Sequence, residues 1–136
     1  MAYFTLPTPK IHTITPEFYV ETQFIMGQPF ISFLRIGALQ SVQSKLILTG
    51  LQATTFFTFM ANFLETRPFL IHPISSLDIG HGLKFQFHCV GPAHTWSYAL
   101  LDQSKSIDSV FLFGPPEWTA LSQRLPEFWW LYTLGY

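Results

Sequence analysis

Charge is what this chain has least of: 11% of its 136 residues are Asp, Glu, Lys or Arg, against roughly 25% in an average domain. Seven basic and eight acidic residues leave a net charge of −1, so no global basic field draws the protein to nucleic acid. A single cysteine, Cys89, excludes a disulfide within the chain and fits a reducing compartment. No apolar run reaches the ~20 residues needed to span a bilayer. The richest, Leu51 to Leu64, is interrupted by Gln52, Thr54, Thr55, Thr58 and Asn62. Met1 to Pro7 lacks the basic and long apolar regions of a signal peptide. The expectation is a soluble intracellular protein, cytoplasmic or nuclear, without a membrane partner.

Catalytic signatures are missing too. No glycine loop has the spacing that cradles phosphate. The five histidines, His12, His72, His81, His88 and His94, show no metal-ligand spacing on one element. His88 and Cys89 are strand neighbours and point to opposite faces. Asp78 with His81, and Cys89 with His94, lie near glycine loops, but short-range pairs of this kind are common and carry no reaction by themselves. A non-enzyme with no metal and no cofactor is expected.

Aromatic residues, at 18%, are what the chain has in excess. With so little charge to keep a small monomer soluble, apolar surface is expected to be covered by another copy or a partner. At this length one domain is the prior. The arm Met1 to Pro16 carries Pro7, Pro9 and Pro16 and reads as extended, leaving residues 17–136 as the domain.

Within it, one unit occurs twice. Leu46-Ile47-Leu48-Thr49-Gly50 leads into an amphipathic segment from Leu51 to Glu65, and Val110-Phe111-Leu112-Phe113-Gly114 leads into another from Pro115 to Trp130. The halves are approximately 17–67 and 68–136. In the first, Phe18–Met26, Phe30–Ile36 and Lys45–Thr49 read as an antiparallel meander. Thr49 and Gln52 have capping-box spacing, and Phe56, Phe59, Met60 and Phe63 form a helical stripe that Pro68 ends. In the second, Phe69–Ile71 is a short candidate strand and Ile79–Gly82 a loop. Leu83–Val90 alternates, Thr95–Leu101 and Val110–Phe113 follow, and Trp118, Leu121, Leu125 and Phe128 make the stripe. Pro115 and Pro116 suit a first helical turn, and Pro126 kinks or ends the helix.

The junction Val110 to Leu121, with its Pro116-Glu117-Trp118 step and Leu121 three residues on, resembles the strand-to-helix junction of positive-cofactor-four-type transcriptional coactivators. Two such units in one chain are similar to the Whirly family of single-stranded nucleic-acid-binding proteins. The lysine-glycine-lysine-alanine-type motif of the plant members is absent. The resemblance implies an α+β domain of two pseudo-repeated antiparallel sheet-plus-helix halves that binds single-stranded DNA or RNA across its sheet faces, in a transcription or replication setting.

Weighed on their own, the residues offer both a site and an alternative. Phe33 and Arg35 share one strand face, Trp96 and Tyr98 another, and Lys84, Gln86 and His88 a polar face; Lys45 adds a cation. Bases stack on aromatic side chains while cations hold the backbone. The alternative places Phe33, Trp96 and Tyr98 in the core and makes Lys84, Gln86 and His88 an ordinary solvated face. A second class, a structural protein that assembles without nucleic acid, rests on the helical and C-terminal aromatics. Its expected oligomer interface is Trp118, Leu121, Leu125, Trp129, Trp130 and Tyr132.

Overall fold

The computed structural model describes residues 10–66, 74–90, 95–105 and 109–135. Eight strands in it form two four-stranded antiparallel sheets, each in plain sequence order. The first holds β1 (Lys10–Thr13), β2 (Phe18–Ile25), β3 (Gln28–Ile36) and β4 (Val42–Thr49), and α1 (Gly50–Thr66) follows. The second holds β5 (Ile74–Gly80), β6 (Leu83–Val90), β7 (Thr95–Asp102) and β8 (Ser109–Phe113), and α2 (Pro115–Gln123) follows. The twofold sheet-plus-helix order is therefore real.

Local chemistry explains the breaks. Met26-Gly27 and His81-Gly82 close tight hairpins with both residues at positive φ, 53° and 78° in the first and 55° and 77° in the second. That is the type I′ geometry whose twist matches the flanking strands. Gly82 is doubly constrained, because a Cβ there would lie 2.6 Å from the Cβ of Ser104. At the start of α1 the Thr49 hydroxyl accepts from the Gln52 N–H and the Gln52 side-chain oxygen accepts from the Thr49 N–H, both at 3.2 Å. The capping box is complete. Gly114 has no side chain to cap with, so the second junction keeps half of it: the Glu117 carboxylate accepts from the Gly114 N–H at 2.9 Å.

One expectation changes and two gain detail. Lys10–Thr13, within the expected extended arm, is ordered against the body as the edge of the first sheet, where Ile11 pairs with Glu21 and His12 with Val20. Four residues are too few to show a period, and the pairing is made by distant sequence. Ile79 and Gly80 end β5 and are not loop; the candidate strand Phe69–Ile71 lies outside the described residues. The segment after Gly114 breaks at Pro126, as its chemistry leads one to expect. Pro126 cannot continue α2, so Leu125–Phe128 forms a 3-10 turn before the short α3 (Trp130–Thr133).

The inner faces of both sheets and the helical stripes meet in one core. Phe33 sits at its centre, with the rings of Phe18, Phe56, Phe57, Phe111 and Phe113 at centroid distances of 5.5–6.3 Å. Tilted and edge-on ring pairs of this kind add to the area buried. Helix α1 contacts β3, β4 and also β5, while α2 contacts β7 and β8. The halves thus share one interior.

Candidate nucleic-acid interface

Strand alternation decides which side chains a ligand can meet. In β3, Ile31, Phe33 and Arg35 are opposite Leu48, Leu46 and Ser44 of β4 and turn toward the helices. Phe33 is fully buried, so the expectation that it stacks a base is corrected. The sequence was ambiguous here because β3 is apolar on both sides. Phe30 and Leu34 occupy the outer face, and Phe30, half-buried, is the aromatic that borders solvent. Tyr98 also turns inward, its ring 4.4 Å from Trp118 and nearly parallel to it. The backbones of His88 and Trp96 are in register with Ser97 and Cys89; their side chains lie outside the described residues.

The outer face of the second sheet does gather polar groups. Lys84, Gln86 and Ser97 project there beside Ala99 and Leu112, in the register Lys84–Leu101, Gln86–Ala99 and Ala99–Leu112. None of the three polar side chains has a hydrogen-bond or ion-pair partner among the described residues, although Asp78 stands opposite Lys84. Lys45 projects from the outer face of β4, likewise unpaired and exposed.

Arg35 has another role. Its Nη2 donates to the Leu112 carbonyl at 2.6 Å and to Glu117 Oε1 at 2.5 Å, with the guanidinium 4.9 Å from the Phe111 ring centre. Lys105 makes the reciprocal reach, from the second half to the Ile47 carbonyl of β4 at 3.1 Å. Two cations therefore tie the halves together, Arg35 from β3 to β8 and α2, and Lys105 from the second half to β4. Arg35 is a clasp at the end of an open groove of about 520 Å³ lined by Gln86, Ser97, Ala99, Leu112 and Glu117 among others.

A second groove, of about 330 Å³, runs past Phe30, Ile47, Thr49, Leu51, His81 and Lys105. Its floor is the clasp between the halves. The Gln52 amide donates to the His81 carbonyl at 3.0 Å, and to Asp102 Oδ1 and the Ser104 hydroxyl oxygen at 3.3 Å. Burial pushes the Asp102 carboxyl up, but hydrogen bonds from the Ser104 hydroxyl and N–H, with Lys105 nearby, outweigh it and leave the pKa lowered. Phe30 and Lys105 were not among the sequence candidates. The alternation of Phe30 against Phe33 was the signal, and nothing in one strand says which face is core.

The expected oligomer residues divide. Trp118, Leu121 and Leu125 are buried in the chain's own core and are corrected, since one helical stripe cannot serve both the core and a partner. Trp129 and Tyr132 are exposed, their rings 4.9 Å apart, and with Thr58, Ala61 and Asn62 they line an open depression. Trp130 is half-buried and packs on Phe24 at 5.8 Å. No helix among the described residues is long and apolar enough to cross a membrane.

No family model matches the chain, and no curated protein is similar to it. Among solved structures it is similar to the crystal structure of WHY1 from Arabidopsis thaliana, with 7% identity and a TM-score of 0.42 over 94% of this chain and 88% of that one.

Proposed function

We propose that the chain binds single-stranded DNA or RNA across the outer faces of its sheets, as an oligomer. The observation that carries this is a set of donors without a partner among the described residues, on the side that no described helix covers: Lys84, Gln86 and Ser97 on the second sheet and Lys45 on the first. Alternate residues of a strand are about 6.8 Å apart, a spacing comparable to that of neighbouring phosphates along an extended single strand. Stacking falls to Phe30 beside Lys105, not to Phe33 or Tyr98. With few free cations the contact is weakly salt-dependent: two or three neutralised phosphates give a log–log slope of about −1.5 to −2 on a single strand. Repetition of the site in an oligomer raises affinity without new contacts.

The test is fluorescence anisotropy of a labelled oligothymidylate. Lys45→Ala with Lys84→Ala is expected to weaken binding and flatten the salt slope by about 1.4 units. No binding by the wild-type protein at high micromolar concentration overturns the proposal.

The exposed Trp129 and Tyr132 support a second reading, a protein whose assembly is its function. Their amphipathic rings suit an interface centre. The two readings part on whether nucleic acid binds at all.

A further inference from the structure

We propose that the groove at the Arg35–Glu117 pair is a base-reading pocket selective for guanine within a single strand, an inference that rests on the nucleic-acid reading above. The groove, about 520 Å³ and open on one side, has room for a purine, with Ala99 and Leu112 in its apolar lining. Glu117 is held in place: its Oε1 accepts from Arg35 at 2.5 Å and from the Gly114 N–H at 2.9 Å. Its second oxygen, Oε2, accepts no hydrogen bond among the described residues. Arg35 spends Nη2 on Glu117 and the Leu112 carbonyl, leaving its other N–H groups without a partner among the described residues. Gln86 and Ser97 add to the same lining an amide and a hydroxyl without a partner among the described residues.

The charge balance selects the ligand. Carboxylate and guanidinium neutralise each other, so the pocket suits a neutral, polar-edged ring better than a phosphate. Guanine carries adjacent N1–H and N2–H₂ donors for a carboxylate, and O6 and N7 acceptors for Arg or an amide. Adenine and cytosine place a ring lone pair beside their amine, which would face Glu117 Oε2. Thymine has one N–H flanked by carbonyls. The pair is largely sheltered, with side chains 21% and 16% exposed, so a mismatched edge is poorly relieved by water. Single-stranded bases are free to present this edge.

The experiment measures anisotropy of short labelled oligothymidylates carrying one central guanine, inosine or adenine. Inosine keeps guanine's N1–H, O6 and N7 and lacks only the 2-amino group. The guanine strand is expected to bind at least about tenfold more tightly than the inosine or adenine strand, the value of a hydrogen bond to a charged group. Glu117→Gln, checked for folding by circular dichroism, is expected to narrow that gap to about twofold, because its charge is gone. The base series on the wild-type protein decides the matter even where E117Q fails to fold. Equal, measurable affinity for all strands overturns the pocket and leaves strand binding standing. Binding of none overturns both. Displacement by free guanosine monophosphate as effective as by the guanine strand overturns the strand context.

Discussion

At the scale of single residues, face assignment separates core from ligand surface. Phe33→Ala is expected to cost about 3–5 kcal/mol, because it empties the centre of the aromatic core. Phe30→Ala, three positions away on the opposite face of the same strand, is expected to leave the denaturation midpoint nearly in place and to weaken oligothymidylate binding by about 1–3 kcal/mol. Chemical denaturation and anisotropy on the same two variants check both halves of that statement. The inward faces of the regular strands were legible in sequence: Phe18 and Val20, or Phe85 and Phe87, alternate with polar partners. Phe33 and Phe30 were not separable, since the central strand β3 buries Ser32 and Leu34 on its outer side as well as Ile31 and Phe33 on its inner side. Arg35 was legible as a cation but not as a clasp, because its partners Leu112 and Glu117 come from the other half of the chain.

Among the elements, β1 is the one that sequence left as an arm, and side chains from distant sequence hold it. His12 Nδ1 lies 3.2 Å from Glu127 Oε1, the ring sits 4.9 Å from Phe128, and Arg124 donates to Glu127 and to the Thr13 carbonyl. Burial lowers the His12 pKa from 6.5, with Glu127 opposing that shift and Lys10 and Arg124 adding to it. The Arg124 hydrogen bond holds Glu127 at about 2. The two groups act in the same direction. A folded state that prefers neutral His12 loses stability as pH falls below the unfolded value near 6.5. A folded state that prefers ionised Glu127 loses it as pH falls from 4.5 toward 2. Thermal midpoints are therefore expected to decline in two acid steps. Glu127→Gln is expected to remove the lower step, with hydrogen exchange in β1 speeding first. The other elements were readable from local rules: the Thr49–Gln52 box, the Gly114 junction and Pro126 each do what their chemistry dictates.

For the whole molecule, the repeat yields two sheets whose helices pack on one side, and no helix among the described residues covers the opposite sides, where Lys45 is exposed and Lys84 and Gln86 half-exposed while Ser32 and Leu34 are buried. Low charge leaves few means of keeping the exposed Trp129 and Tyr132 from associating. On the proposal that the chain acts as an oligomer, Trp129→Ala with Tyr132→Ala is expected to sediment as a smaller species than the wild-type protein in analytical ultracentrifugation. Trp118, Leu121 and Leu125 cannot be tested in that way, because their replacement would unfold the chain. The pseudo-repeat was visible from the paired strand–glycine–helix junctions alone. The clasp at Gln52, Asp102 and Ser104 was not, since it joins residues 50 and 52 positions apart and no local pattern links them. The central claim, that a single strand lies on the outer sheet faces, is tested most directly by photocrosslinking a 4-thiothymidine oligomer and mapping the modified peptides by mass spectrometry. Crosslinks within β3, β4, β6 and β7, at residues such as Phe30, Lys45, Lys84 and Gln86, are the expected result. Crosslinks confined to α1, α2 and the C-terminal aromatics, or none at saturating oligomer, would contradict it.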